Sequence, residues 1–183
     1  MTEFANKIAY VVDPKFPKLI LEEMTEQAKD LTYTRSLVSS DPIEKSTRTS
    51  SQCWLPWDSW IAGIMHNLFV SANNDYYHYE LNHFDSGIQV TKYESSQYYG
   101  WHVDQIETPN GLARKLSMSL VLDTDFEGGE LEIYNPYSNK ANRFDLQPGQ
   151  VCIFPSWASH QVTPVTSGTR YSLVAWMNGP EFR

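Results

Sequence analysis

Pro148-Gly149-Gln150-Val151-Cys152-Ile153-Phe154-Pro155-Ser156-Trp157-Ala158-Ser159-His160-Gln161-Val162-Thr163-Pro164-Val165-Thr166-Ser167-Gly168-Thr169-Arg170-Tyr171-Ser172-Leu173-Val174-Ala175-Trp176 is the stretch that decides the fold. Apolar and β-branched runs at 150–154, 159–162 and 170–176 are too short for helices and read as strands. Pro148-Gly149 and Ser167-Gly168 punctuate them as turns.

The same texture extends back toward the N-terminus. Ile88–Tyr93, Tyr98–His102, Leu116–Leu122, Glu130–Tyr134 and Asn142–Asp145 read as five more strands, with Gly128-Gly129 and Asn135-Pro136 as turns. Eight short strands with no helix between them predict a mainly β fold, a two-sheet jelly roll of the double-stranded β-helix, cupin-like kind, over residues 86–178. Residues 1–85 read differently. Ile8–Val12 is a short strand. Residues 16–31 carry Leu19, Ile20, Met24 and Ala28 at helical spacing. A second helix opens at Pro56-Trp57-Asp58 and places Ile61, Ile64, Met65, Leu68 and Phe69 on one stripe, predicted to pack on the major sheet. Residues 32–53 are polar and rich in Ser and Thr, which predicts a surface loop, and 39–57 are a candidate lid over substrate. No linker or repeat divides the chain, so one domain is expected.

Six Trp and eleven Tyr among 183 residues suit a β-rich fold with ring-lined surfaces. The formal net charge of −8 disfavours nucleic acid as a partner, because phosphate contacts need a basic patch. No apolar run reaches the length of a membrane span. The N-terminal residues lack a signal-peptide pattern, and the two cysteines, Cys53 and Cys152, make no disulfide framework. A cytoplasmic protein without a membrane partner is the expectation.

Chemistry concentrates between residues 93 and 176. His102-Val103-Asp104 puts an imidazole and a carboxylate two apart, on one face of a strand end. His160 can join them only if a rolled sheet brings distant strands together. Two imidazoles and a carboxylate form the face of a non-haem iron(II) site that leaves coordination positions open for a co-substrate and dioxygen. Zinc is the competing metal, although His₂-carboxylate zinc sites usually pair two His four apart on a helix, and no such pair occurs here. Arg170 sits in a strand crowded by Leu173, Val174 and Ala175, so its cation calls for a buried anion. His66, His78 and His83 have no partner at ligand spacing and read as packing or surface residues.

At these residues the sequence resembles the Fe(II)/2-oxoglutarate oxygenases, and within them the prolyl hydroxylases. Phe126-Glu127-Gly128-Gly129-Glu130-Leu131, Pro148-Gly149, Phe154-Pro155-Ser156 and His160-Gln161-Val162-Thr163-Pro164-Val165 are similar to bacterial and phage PKHD-type hydroxylases. Arg48-Thr49-Ser50 followed by Trp54 resembles a segment that prolyl 4-hydroxylases use near the peptide groove. The resemblance implies iron ligation by His102, Asp104 and His160. It implies 2-oxoglutarate binding by Arg170, Tyr93 and Ser172, and substrate contacts from Arg48, Ser50, Tyr99, Arg114 and Trp176. It further implies O₂ as co-substrate, ascorbate as a reductant, and a proline-containing protein or peptide as the partner that is hydroxylated, with succinate and CO₂ as co-products. Arg rather than Lys at 170 and Leu at 131 depart from the collagen-type pattern. Asp104 argues against the related halogenases, where a small residue frees a halide site. Two rival readings remain open: the same chemistry on a free amino acid, another small molecule or a nucleobase, and a non-catalytic jelly-roll binding module.

Overall fold

In the computed structural model residues 8–36, 47–106, 111–123 and 125–181 are described, and they build two antiparallel sheets with helices against one of them. The N-terminal part supplies β1 (Tyr10–Val12), α1 (Lys18–Asp30), β2 (Thr34–Arg35), β3 (Ser51–Leu55) and α2 (Trp60–Ala72). A wider, π-type turn over Asn73–Tyr77 extends α2. Then come β4 (Ile88–Glu94), β5 (Tyr99–His102), β6 (Leu112–Val121), β7 (Phe126–Gly128), β8 (Leu131–Asn135), β9 (Lys140–Phe144), β10 (Val151–Pro155), β11 (His160–Val162) and β12 (Val165–Pro180). The major sheet runs β1-β10-β6-β12-β4-β3-β2, with β7 also paired to β12; the minor sheet runs β5-β11-β8-β9.

Side-chain alternation gives the major sheet two unlike faces. On the outer face, Ile88, Val90, Leu116, Met118, Leu120, Ile153, Leu173 and Ala175 meet Met24 and Ala28 of α1 and Ile61, Met65 and Phe69 of α2, all buried. The helices therefore pack where the apolar stripe predicted. Burial on this scale, at about 25 cal/mol per Å² of apolar surface, is the main force holding the helices to the sheet. On the inner face the register aligns Gln52 with Thr91, Thr91 with Ser172, and Ser172 with Val121. The next rank along aligns Trp54 with Gln89, Gln89 with Val174, and Val174 with Ser119. Thus one face of the same strands is hydrocarbon and the other is polar, and the polar face looks toward the minor sheet. A smaller apolar cluster, including Leu131, Ile133, Cys152, Phe154 and Ala158, closes one end of the space between sheets.

Several expectations need correction. Residues 51–55 are not loop: β3 pairs with β4 over five positions, because Gln52 and Trp54 face the cavity while Cys53 and Leu55 pack toward the helices. The jelly roll consequently recruits β1, β2 and β3 from outside residues 86–178. Of the candidate lid, residues 39–46 lie outside the described residues. Thr47–Ser50 bind the start of β5, with Gly100 N donating to Thr47 O (2.7 Å) and Thr49 N to Tyr98 O (3.0 Å). The first helix starts at Lys18, after Pro17, and Leu19 is 74% exposed rather than on the packed stripe. The second starts at Trp60, where the Ser59 hydroxyl accepts from Ala62 N. Both cysteines are free. No helix among the described residues is long and apolar enough to cross a membrane.

Candidate metal centre and its cavity

His102 ends β5 and His160 opens β11, and the two are direct cross-strand partners despite their distance in sequence. Asp104 follows the end of β5, where its N–H and that of Gln105 both donate to Ser156 O at 3.0 Å. Val103 turns outward, 54% exposed. The result is a cluster of three: the ligand atoms of His102, Asp104 and His160 lie within 4.8 Å of one another. His102 Nε2 is 3.6 Å from Asp104 Oδ1, and His160 Nε2 is 3.4 Å from Asp104 Oδ2.

The ring nitrogens are sorted by their partners. Nδ1 of His102 is 2.8 Å from Gly100 O, and Nδ1 of His160 is 3.0 Å from Ala158 O. A carbonyl only accepts, so both Nδ1 atoms carry hydrogen and donate, and both Nε2 lone pairs face Asp104. Ligand atoms each about 2.1 Å from one divalent ion lie roughly 3–4 Å apart, so the spacing fits such an ion. Burial alone would raise the Asp104 pKa, but the His160 and His102 imidazoles hold it well below the usual carboxylate range. Burial lowers the His102 pKa. Burial also opposes charge on His160, yet the Asp104 carboxylate outweighs it and lifts the pKa.

A cavity of about 220 Å³ opens beside the cluster. Its walls include Arg48, Tyr93, Tyr99, Arg114 and Trp176, five of the residues predicted to touch a ligand. Tyr99 stacks flat on His102, with ring centroids 3.5 Å apart, and Arg48 lies over the other side of the column, 4.6 Å from the Tyr99 centroid. Arg114 is bound to Asp85 (Nε to Oδ2, 2.8 Å) and lies 4.0 Å over Trp176. Ser50 is fully buried and does not line the cavity; its hydroxyl accepts from Arg48 Nε at 2.8 Å and donates to Ser36. Its place is behind Arg48 rather than against a substrate.

Arg170 and Ser172 also stand behind the open cavity, on the same face of β12 as Val174 and Trp176. Arg170 pairs in register with Tyr93 and Ser172 with Thr91, both of which line the cavity. Arg170 is 1% exposed, donates from Nη1 to Ser172 Oγ at 2.8 Å, and lies over the Tyr93 and Phe126 rings. Its Nε has no partner, and among the described residues no carboxylate lies within ion-pair distance of it. Gly129, at φ +65°, gives it room, with Arg170 Cδ passing where a Cβ would stand.

Gln52, Gln89, Thr91 and Ser119 also line the cavity and were not singled out from sequence, and Trp54, noted there after Arg48-Thr49-Ser50, lines it as well. Parity with Tyr93 along β4 would have marked Gln89 and Thr91. Nothing short of the register marks Ser119. His66 is exposed and meets Phe84 edge to face, away from the cluster.

A family model described as the 2OG-Fe(II) oxygenase superfamily matches residues 88–178. A PKHD-type hydroxylase of Synechococcus sp. (strain CC9605) is 41% identical over 90 residues, 48% of this chain and 40% of that protein. One from Shewanella oneidensis (strain MR-1) is 34% identical over 119 residues, 62% of this chain and 49% of that protein. The chain thus matches less than half the length of these curated relatives. Among solved structures, a Pseudomonas putida prolyl-4-hydroxylase superposes with a TM-score of 0.77 at 17% identity, covering 96% of this chain and 95% of that one. A Trichoplax adhaerens prolyl hydroxylase, solved with a peptide fragment of hypoxia inducible factor, also gives 0.77 at 17% identity, covering 94% and 84%. The structural likeness speaks for the fold alone, and the family model with the sequence matches shows that this chain belongs to the 2OG-Fe(II) oxygenase superfamily.

Proposed function

We propose that the chain binds Fe(II) through His102, Asp104 and His160, binds 2-oxoglutarate with Arg170, and hydroxylates prolyl residues of a protein or peptide. The observation that carries this is Arg170. A guanidinium sealed between sheets without a carboxylate neighbour is costly, and a site evolved around a dicarboxylate supplies the missing anion when loaded.

Iron bound with 2-oxoglutarate supplies the oxidising chemistry, in which dioxygen gives one atom to an unactivated C–H bond while the co-substrate leaves as succinate and CO₂. The protein does the rest by holding and excluding. The Gly100 and Ala158 carbonyls fix the two imidazole planes. Arg170 and Ser172 would hold the distal carboxylate of 2-oxoglutarate, with the Tyr93 ring beside Arg170. Trp54, Trp176 and Tyr99 give the flat walls that suit a proline ring in an extended peptide. The Asp85 carboxylate holds Arg114 over Trp176 and so sets the height of that wall.

The test is in two stages. Anaerobic addition of Fe(II) and 2-oxoglutarate should produce a weak visible charge-transfer band; no band would return the site to zinc or to a binding module. Proline-containing peptides incubated with Fe(II), 2-oxoglutarate and O₂, with and without ascorbate, should then gain one oxygen by mass spectrometry as succinate forms.

A second reading has its own observation. Arg48 is 7% exposed and no carboxylate among the described residues pairs with it. A small substrate bearing a carboxylate, such as a free amino acid, would fit that cation. Oxygen gained by an amino acid but by no peptide would select this reading.

A further inference from the structure

Asp104 has a neighbour with no counterpart among the predicted site residues. Ser117 sits in the middle of β6, fully buried, and its hydroxyl lies 2.8 Å from Asp104 Oδ2. Ser156, also fully buried, places its own hydroxyl 2.9 Å from that of Ser117. Valence orients this chain. An ionised carboxylate can only accept, so Ser117 gives its single proton to Asp104. Ser117 then has only lone pairs for Ser156, and Ser156 must be the donor. The order is Ser156 to Ser117 to Asp104, with no freedom to reverse.

The backbone braces the same unit. Ser156 N donates to Lys115 O, and Ser156 O accepts from both Asp104 and Gln105. Ser117 is paired in register with Phe154 on one side and Trp176 on the other. Phe154 in turn meets the His160 ring at 4.6 Å. One serine therefore ties the carboxylate to the strands beneath both the cavity and the second imidazole.

We propose that Ser117 is a positioning residue that engages Asp104 Oδ2 and leaves Oδ1 as the metal-binding oxygen. This rests on reading the cluster as an Fe(II) site. A carboxylate bound through one oxygen uses one coordination position; bound through both it uses two. Two imidazoles, one carboxylate oxygen and a bidentate co-substrate would leave one position of six on a bound ion, and a two-oxygen Asp104 would leave none. The hydrogen bond occupies a lone pair of Oδ2, which also lies 3.4 Å from His160 Nε2, and so would leave Oδ1 as the oxygen free to bind an ion and keep the last position open. Outer hydrogen bonds of this sort carry about ten- to a hundredfold in metal affinity.

Co(II) binding to the purified chain tests the idea without any turnover. The visible spectrum of bound Co(II) reports coordination number and symmetry. Ser117→Ala should weaken Co(II) and Fe(II) binding by about ten- to a hundredfold and change the Co(II) spectrum. Ser117→Thr keeps the hydroxyl and should restore both. Ser156→Ala removes only the upstream donor and should move both readouts in the same direction by less, and it carries the test if Ser117→Ala fails to fold. Wild-type affinity and spectrum in a folded Ser117→Ala or Ser156→Ala chain would overturn the positioning role while leaving the iron reading intact. Failure of the wild-type chain to bind either metal would overturn the iron reading, and this inference with it.

Discussion

The Tyr99 ring lies flat on the His102 imidazole, the planes 12° apart and the centroids 3.5 Å apart. Tyr99 was expected to meet substrate, and it does line the cavity. The ring it stacks on, however, is a proposed metal ligand. Tyr99→Phe keeps the stacked face and should bind Fe(II) like the wild type. Tyr99→Ala frees one side of the imidazole and should weaken Fe(II) binding severalfold, measured by anaerobic titration.

Metal loading should stabilise the fold, since the proposed ligands come from two segments distant in sequence, the end of β5 and the start of β11, and meet only in the native state. At an Fe(II) concentration a hundredfold above Kd the gain is about 2.7 kcal/mol. For a domain of this size that raises Tm by about 5–10 °C. His160→Ala should show no metal-dependent rise, and a chelator should abolish the rise in the wild type. Differential scanning fluorimetry under nitrogen reads both.

Arg170→Met tests the co-substrate anchor in an unusual direction. Because no carboxylate partner would be stranded by removing the cation, the variant should melt no lower than the wild type when 2-oxoglutarate is absent. It should lose most of the stabilisation that 2-oxoglutarate confers, while still binding Fe(II). Loss of iron together with 2-oxoglutarate would assign Arg170 a different role.

Gly129→Ala should reach the same anchor from outside. A Cβ there would stand 2.9 Å from Arg170 Cδ and 2.9 Å from Val165 Cγ2, on a backbone already at φ +65°. The left-handed conformation alone costs about 1–2 kcal/mol for a residue with a Cβ. The expected outcome is a lower Tm and a severalfold higher 2-oxoglutarate requirement with unchanged Fe(II) affinity.

Phe69 is fully buried between α2 and the outer face of the major sheet, edge to face with Phe84. Phe69→Ala should cost about 3–5 kcal/mol through lost contact and a residual cavity. The urea midpoint should fall while the Fe(II) and 2-oxoglutarate affinities of the folded fraction stay as they were.

The legible parts were those with a local period. Eight short runs between turns gave away the jelly roll, and the apolar stripe of α2 gave away what covers its outer face. His102, Asp104 and His160 were legible because their residue types are uncommon together and the fold class explained their spacing. What escaped was set by tertiary context. β3 reads as loop because its cavity-facing positions, Gln52 and Trp54, break any simple apolar alternation. Ser167-Gly168 read as a turn between strands, yet β12 runs through it, with Gly168 at φ +74° and a register shift against β7 taking up the bend. Ser117 could not be found at all from sequence, because a serine in a strand carries no sign of what faces it.

β12 has one more consequence. Arg170 and Trp176 lie six residues apart on one uninterrupted segment, paired with β4 as far as Val174 and with β6 from Ser172 onward, which separates them by about 20 Å. The two ends of the binding trench are therefore calibrated against each other by a single rigid ruler. A longer or bulkier guest cannot be admitted by stretching that span; it must be met by exchanging side chains on the opposing walls or by moving the segments that frame the entrance.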